Sequence, residues 1–333
     1  MSLIITSIIF ISILIIGHEF GHFFAAKAFK LRVEEFSLGF PPRVFSKKIG
    51  ETKYSFNLLP FGGFVKIYGE EGSAALLEEP ERSFVHQPGW KRALIILAGV
   101  IMNFLIGWLA LALVFSLGLP QRLLIEEVSP GSPAAEVGLK PGEEIEGFNS
   151  AQAFTEFVEA NKGNPINING ETITPRVNPP AGEGALGLKI TEIGAPAENP
   201  LKSLGQGFIA ALAIMGFIFK AIALFFVGIF TGNFTVLGEV TGPVGVFNLI
   251  GEAGKLGFVY LINFLGLISL NLAAINLIPF PALDGGRLLF VGLEKLAGRP
   301  INKRWESLVN AVGLALLFAL MLVITFRDIM KLI

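Results

Sequence analysis

Long uncharged apolar runs dominate the chain. The runs 93–119 and 256–283 each exceed the roughly 20 residues that a helix needs to cross a bilayer. Two further apolar segments lie near the ends of the sequence. The pattern therefore predicts an α-helical polytopic membrane protein with about four transmembrane helices, at about 3–29, 92–119, 256–283 and 305–326.

One more apolar segment, 205–230, is interrupted by Lys220 and punctuated by glycine. It lies in a stretch, 194–255, that we interpret as a linker with an interfacial or re-entrant segment. A full crossing here would reverse the direction of the run 256–283, and the basic residues after that run would then lie outside. We therefore expect residues 205–230 to lie along the outer interface or to re-enter, with both termini extracytoplasmic.

Composition supports a membrane protein. Only 16% of the residues are charged and 52% are hydrophobic, against about 25% charged in ordinary soluble domains. A net charge of -1 without a basic tail gives no support to nucleic-acid binding. The absence of cysteine excludes disulfides, thiolate metal sites and a cysteine nucleophile.

Basic residues divide the loops between the two membrane faces. Eleven Lys or Arg lie between positions 27 and 92, and five lie between 282 and 304. Residues 120–203 carry six Lys or Arg against 12 Glu. Because Lys and Arg favour the cytoplasmic side, we predict that the first two regions are cytoplasmic and that the third is extracytoplasmic.

The first loop, about 33–89, contains two β-prone runs, Tyr54–Leu58 and Phe64–Tyr68. The five residues between them include Pro60, Gly62 and Gly63, so the pattern predicts a membrane-associated β-hairpin with a slightly long turn. Its apolar residues suit a segment that dips into the membrane against other protein. An ordinary soluble hairpin fits these residues equally well.

The pattern of residues 120–193 predicts one inserted α+β domain, because strand-like runs flank a segment with the apolar spacing of a short helix. The segment Val128–Ile145 resembles part of a bacterial PDZ domain, although Phe148, Asn149 and Ser150 replace the usual Asn-Gly turn. Such a domain offers a groove in which a peptide C-terminus adds as a strand. A spacer or steric filter that binds no peptide is the alternative.

The strongest chemical signal is the run from Gly17 to His22. On a helix, His18 and His22 lie on one face and can offer two imidazole nitrogens to one metal ion. Glu19 beside them has the position of a general base in zinc peptidases. A central ionisable residue costs about 2.5–3.5 kcal/mol in a membrane helix, so a chance motif is disfavoured. The alternative is a pair of core histidines satisfied by hydrogen bonds.

A catalytic zinc usually has three protein ligands and one open position. Asp284 is the only carboxylate at a matching place, at the end of the longest uncharged run. Pro279 and Pro281 break the helix before it, and irregular backbone at membrane depth is tolerated where it lines a cavity. Taken alone, Asp284 fits a helix N-cap better. Asn276 is able to pair with substrate backbone or with a helix carbonyl.

Together these motifs resemble the site-2 protease family of intramembrane zinc metalloproteases, in its bacterial regulator-of-sigma-E protease branch. The similarity extends over nearly the whole chain. Two departures are Val100, where many relatives carry proline, and the single PDZ-like module. The matching segments are His18–His22, Phe61–Lys66, Trp90–Ala93, Ala98–Phe104, the PDZ-like segment, Gly242–Gly245 and Asn276–Gly286.

The resemblance implies that His18, His22 and Asp284 bind Zn²⁺ and that Glu19 is the general base. It implies that Asn276, Pro279 and Pro281 hold unwound substrate, and that a hairpin edge at Phe61, Gly62 and Gly63 pairs with substrate as an added strand. The expected activity is cleavage of single-span proteins, such as anti-sigma factors or signal-peptide remnants, in the bacterial inner membrane, with the active site toward the cytoplasm. A noncatalytic PDZ-containing scaffold is the first alternative, and a metal or proton transporter is the second.

Overall fold

A computed structural model of the chain forms two compact units. The membrane unit consists of Met1–Leu113 and Leu204–Ile333, and the inserted unit consists of Val114–Ser203. Residues 3–70, 78–148, 150–180, 182–233, 235, 238 and 240–330 are described, the side chains of 3–5, 60 and 61 excepted. In chain order the elements are α1 (Leu3–Ala28), β1 (Val33–Ile49), β2 (Thr52–Ile67), α2 (Gly89–Leu117), β3 (Leu119–Val128), α3 (Pro133–Glu136), α4 (Ala151–Ala160), β4 (Ile166–Ile168), β5 (Glu171–Ile173), β6 (Leu188–Ala195), α5 (Pro200–Phe230), α6 (Pro243–Leu256), α7 (Phe258–Leu277), α8 (Asp284–Ala297) and α9 (Lys303–Met330).

Long apolar helices form the membrane unit. Among the described residues, five helices are long and apolar enough to cross a bilayer: Thr6–Ala28, Gly89–Leu117, Pro200–Phe230, Phe258–Leu277 and Lys303–Met330. Four of them coincide with the predicted spans, and α5 is the fifth. The predicted helical, multi-pass architecture is therefore confirmed, while the number of spans stays a prediction.

Small residues bring α1, α2 and α7 into close contact. A Cβ on Gly21 of α1 would lie 2.2 Å from the carbonyl oxygen of Ala98 in α2. On the other side of α2, a Cβ on Gly107 would lie 2.6 Å from Cγ of Leu270 in α7. The hydroxyl of Ser269 also donates a hydrogen bond to the backbone oxygen of Asn103, at 2.7 Å. The backbones of α1, α2 and α7 are therefore in close contact, and this contact positions the side chains that lie between the helices.

The N-terminal half of helix α5 packs against α2. A Cβ on Gly207 would lie 2.8 Å from the nitrogen of Ala112, and the ring of Phe208 meets those of Phe104 and Trp108. Further along, α5 joins a shared apolar cluster of Leu111, Ala211, Ile218, Leu270 and Ala274. That residues 205–230 lie along the outer interface or re-enter the membrane stays a prediction.

The strand pairing in the first loop differs from the predicted hairpin. Tyr54 and Val65 belong to the same strand, β2, and both pair with Phe36 of β1. The two runs therefore flank β1 on opposite sides and do not pair with each other, and the tight turn is at Gly50. The sequence concealed β1 because its Pro41 and Pro42 look like strand breakers, whereas proline is tolerated where a strand bends or forms an edge.

Away from its buried apolar end at Val33 and Ile67, the sheet of β1 and β2 buries polar side chains and exposes apolar ones. Ser37, Ser55 and Asn57 are buried, and the Asn57 amide donates to Ser37 Oγ at 2.8 Å. Phe45 and Leu58 are exposed, at 62% and 60%. A soluble hairpin shows the reverse arrangement, with apolar residues inside.

The inserted unit has its own core. Strand β3 pairs antiparallel with β6, and β4 pairs antiparallel with β5. Helix α4 begins at Ser150, whose side chain accepts from the nitrogen of Ala153, and it buries Phe154 and Val158. The helix matches the sequence pattern within one residue, and the PDZ assignment of this unit stays a prediction.

Candidate metal centre

Three side chains of the membrane unit meet at one point. The Nε2 atoms of His18 and His22 lie 3.2 Å apart. Oδ2 of Asp284 lies 3.2 Å from Nε2 of His18 and 3.3 Å from Nε2 of His22. Tetrahedral zinc with ligands at 2.0–2.1 Å holds any two of them about 3.3 to 3.4 Å apart. The spacing of these atoms therefore fits one zinc ion.

The helix geometry of α1 supplies two corners of this triangle. His18 and His22 are separated by four residues, so their side chains lie one above the other on one face. Their imidazole rings are 4.8 Å apart and nearly perpendicular. Both rings are directed at α2, where a Cβ on Gly99 would lie only 2.4 Å from Nε2 of His22. The missing side chain at Gly99 provides the space for the two rings.

Asp284 reaches the histidines because the chain breaks between α7 and α8. Residues 278–283 are irregular, and Asp284 is the first residue of α8. A Cβ on Gly285 would lie 2.1 Å from the oxygen of Ile278, and one on Gly286 would lie 2.3 Å from the oxygen of Phe280. The two glycines thus allow the chain to fold back tightly on itself and bring the carboxylate to the site.

The donor set matches a metal better than a hydrogen-bonded core. Oδ2 of Asp284 is buried and has no hydrogen-bond partner of good geometry among the described residues, although two ring nitrogens face it. Nδ1 of His22 donates to the carbonyl oxygen of Ile95 at 2.9 Å, which leaves Nε2 free for a ligand bond. Two imidazoles and a carboxylate are also the ligand types of catalytic zinc.

Glu19 lies beside this triangle. A cavity of about 260 Å³ opens next to the three ligand atoms. A Cβ on Gly63 of β2 would lie 3.2 Å from Cγ of Glu19, so the strand passes close to this side chain. The residues lining the cavity are His18, Glu19, His22, Phe64, Val65, Ile67, Glu70, Ile95, Ile96, Asn276, Ala282, Asp284 and Arg287.

The residues expected to position substrate divide into two groups. Asn276 lines the cavity, and Gly63 lies at its border. Pro279, Pro281 and Gly62 are not among the lining residues. Pro281 instead packs against α9, where a Cβ added to Gly313 would lie 2.5 Å from Cβ of Pro281. Gly62 lies against the ring of Phe40. The side chain of Phe61 lies outside the described part of the chain.

A charge pair at the cavity was missed from the sequence. Arg287 of α8 contacts the carboxylate of Glu70, and its Nη1 atom lies 3.8 Å from Oδ1 of Asp284. Arg287 follows Asp284 by three residues, which places both on one side of α8, and this spacing was an available signal. The carbonyl of Ile95 gave no signal, because every residue has one.

A model of Peptidase family M50 matches residues 6–320. The chain belongs to this family. A protein of Clostridium perfringens is 34% identical over 338 residues, covering 98% of both chains. The regulator of sigma-W protease RasP of Bacillus subtilis is 30% identical and covers 99% of this chain and 98% of its own length. The zinc metalloprotease RasP of Geobacillus kaustophilus is also 30% identical, with 98% of each chain covered.

Family membership confirms three predictions. The chain is a peptidase of the site-2 protease type, its enzyme class is metalloprotease, and zinc is the cofactor of the family. The apolar helices and these relatives together identify a multi-pass membrane protease.

Proposed function

We propose that the protein hydrolyses peptide bonds in or near the transmembrane segment of single-span membrane proteins, as regulated intramembrane proteolysis. Anti-sigma factors and signal-peptide remnants are the substrate types that we expect. The observation that carries this proposal is the triangle of His18, His22 and Asp284 inside a cavity that Glu19 and a strand edge border. Among the described residues, no equally specific arrangement of side chains favours a scaffold or a transporter.

In this proposal His18, His22 and Asp284 hold the zinc ion. A zinc ion held there would supply Lewis-acid chemistry, polarising the scissile carbonyl and lowering the pKa of water toward 7. Glu19 accepts a proton from the attacking water on a carboxylate oxygen and returns it to the leaving amine nitrogen. Asn276, which lines the cavity, hydrogen-bonds the unwound substrate backbone.

The strand edge gives the substrate a place to unwind. Residues 63–67 of β2 pair with β1 on one side, and Phe64, Val65 and Ile67 border the cavity on the other. A helical substrate must break its own hydrogen bonds before cleavage, because they occupy its carbonyls. An added strand on this edge replaces those bonds with bonds to protein backbone. The apolar outer face of the sheet supports its placement within the membrane.

We further propose a bacterial inner-membrane location, with the metal centre toward the cytoplasm and the inserted unit outside. The inserted unit then acts as a PDZ-like filter, either by binding a peptide C-terminus or by excluding substrates with long outer domains. The charge distribution of the loops supports this orientation.

Replacement of Glu19 tests the function. The variant E19Q should retain zinc but lose cleavage of a purified single-span substrate in detergent, because an amide does not accept the proton. Glu81, exposed in a single 3-10 turn at Pro80–Arg82, provides the matched control E81Q, which should cleave normally. Mass spectrometry of the products gives the cleavage position, and a chelator should abolish activity until zinc is restored.

Two results would refute parts of this proposal. Turnover of E19Q near the wild-type level would remove Glu19 as the base. Cleavage in a soluble loop far from the transmembrane segment would remove the intramembrane substrate class. In the same assay, equal cleavage of substrates with long and trimmed outer domains would contradict the filter.

A further inference from the structure

A buried amide on α2 faces His18 on the side away from the metal position. Asn103 is fully buried, and its Nδ2 atom lies 3.2 Å from Nδ1 of His18. Its Oδ1 atom is buried and has no hydrogen-bond partner among the described residues. The amide is therefore aimed at the histidine, and its oxygen is unsatisfied.

Zinc at Nε2 fixes what Nδ1 of His18 must do. A neutral imidazole has one protonated nitrogen and one with a free lone pair. If the lone pair of Nε2 binds the metal, the proton is on Nδ1, which then needs an acceptor. With Nδ2 of Asn103 opposite, two donors would face each other, so this orientation of the amide suits only a metal-free histidine.

Rotating the amide by 180° resolves the conflict. The nitrogen and oxygen of an asparagine amide have nearly the same shape, and their assignment follows from the hydrogen bonds that they make. After rotation, Oδ1 of Asn103 accepts from the Nδ1–H of His18. One amide atom is unpaired in either orientation, but only the rotated one avoids opposed donors when Nε2 binds zinc.

We propose that Asn103 is a positioning residue of the zinc centre, whose Oδ1 accepts the Nδ1–H of His18 and directs Nε2 at the metal. This inference rests on the proposed zinc ligation by His18. Asn103 does not contact the metal or the substrate.

The register of α2 supports this role. Ile95, Gly99 and Asn103 are spaced by four residues, so they lie along one face of the helix. The carbonyl of Ile95 accepts from His22, Gly99 leaves the space for both rings, and Asn103 faces His18. One face of α2 thus offers an acceptor to each of the two histidines, which have the same spacing on α1.

Helix α7 holds Asn103 in place from the other side. The hydroxyl of Ser269, itself fully buried, donates to the backbone oxygen of Asn103 at 2.7 Å. The backbone at Asn103 is therefore fixed between two helices, and full burial of the residue restricts its amide to the space beside the histidine. A fixed acceptor orients a metal-bound imidazole better than a mobile one.

Two variants of nearly equal size separate hydrogen bonding from packing. N103D keeps an acceptor oxygen opposite Nδ1, whereas N103L fills the space with no acceptor. Zinc affinity of the full chain in detergent, measured by competition with a chelator, should fall about 10- to 100-fold in N103L and remain at the wild-type level or higher in N103D. Unchanged affinity in N103L, or an equal loss in N103D, would overturn the proposal.

A packing control and a ligand control complete the measurement. L111A opens space at a buried leucine two turns further along α2 and should leave zinc affinity unchanged; a loss equal to that in N103L would mean that packing, not the acceptor, is responsible. H18A tests the centre itself. Zinc retained at full affinity in H18A would refute the proposed ligation, whereas zinc lost in H18A but unchanged in N103L would refute the role of Asn103 alone.

A measurement on the unmodified sequence needs no variant to fold. The chain has three histidines, so nitrogen-15 labelling of histidine gives a simple spectrum. In the zinc-loaded protein, Nδ1 of His18 should be protonated and its proton should exchange slowly with water. An unprotonated Nδ1, or a proton that exchanges as fast as that of a solvent-exposed imidazole, would contradict the hydrogen bond to Asn103.

Discussion

At the residue scale, the two histidine rings leave no room for a side chain at position 99. A Cβ there would lie 2.4 Å from Nε2 of His22 and 2.7 Å from Cε1 of both His18 and His22. The ring of His22 is held by its bond to Ile95, so it has no direction in which to yield. We expect G99A to lose most of its zinc, as measured by elemental analysis of the purified protein.

A second glycine provides the control for the effect of an added methyl group at position 99. Gly292 lies in α8, and a Cβ added there meets nothing within 4 Å. G292A should keep its zinc and gain about 0.5–1 kcal/mol, because alanine favours a helix over glycine. Full zinc occupancy in G99A would mean that the rings move aside, contrary to the packing described.

At the residue scale, the sequence reveals the ligands better than their supports. His18 and His22 are recognisable because a four-residue spacing on a helix is local information. Asp284 is recognisable because a carboxylate follows a broken apolar run. The contacts of Asn103 and of the Ile95 carbonyl depend on how α2 lies against α1, which no local pattern encodes.

At the scale of elements, one ion pair connects the helix that carries Asp284 to the helix that supports the histidines. Nη1 of Arg92 in α2 lies 2.6 Å from the carboxylate of Glu294 in α8, and each side chain is only 12% exposed. Removing one partner leaves the other charge largely buried and without its counter-charge. We expect R92M to lower the stability of the protein by about 3 kcal/mol, and R92M/E294L to recover part of it.

Thermal unfolding of the full chain in detergent checks this prediction. The exposed pair of Lys66 and Glu34 provides the control, since its side chains are 51% and 32% exposed. K66M should change stability by less than about 1 kcal/mol. If R92M is as stable as K66M, α8 is held by its apolar contacts and not by the ion pair.

Long-range pairing is also where sequence reasoning about the elements fell short. Helix bounds follow from local apolar spacing, and the predicted spans match α1, α2 and α9 within about four residues, whereas α7 ends at Leu277, six residues before the predicted end. The pairing of β1 with both halves of β2, and the contact of residues 92 and 294, connect parts of the chain that carry no shared local pattern. The packing of α5 against α2 belongs to the same class, because composition alone fits a span and an interfacial helix equally.

At the scale of the whole membrane unit, contacts of α9 limit how far the chain after α5 can travel. Helix α9 passes Pro281 at Gly313, near the metal centre, and Arg327 follows 14 residues later, about 21 Å along the helix. Arg327 donates to the carbonyl oxygen of Gly238 at 2.8 Å. Five residues connect Asn233 to Gly238, at most about 18 Å. The end of α5 therefore lies near the C-terminal end of α9.

The predicted topology gives the last prediction. If residues 205–230 lie along the outer interface or re-enter, α7 runs inward and brings Asp284 to the depth of the histidines, and the basic residues after it are cytoplasmic. The native chain has no cysteine, so single cysteines can be introduced one at a time. A membrane-impermeant maleimide should label positions 233 and 252 from outside the cell and position 302 only from the cytoplasmic side. Cytoplasmic labelling at 233 together with external labelling at 302 would mean that α7 runs outward. Asp284 would then lie on the opposite side of the membrane from His18 and His22, and the three residues could not share a metal ion.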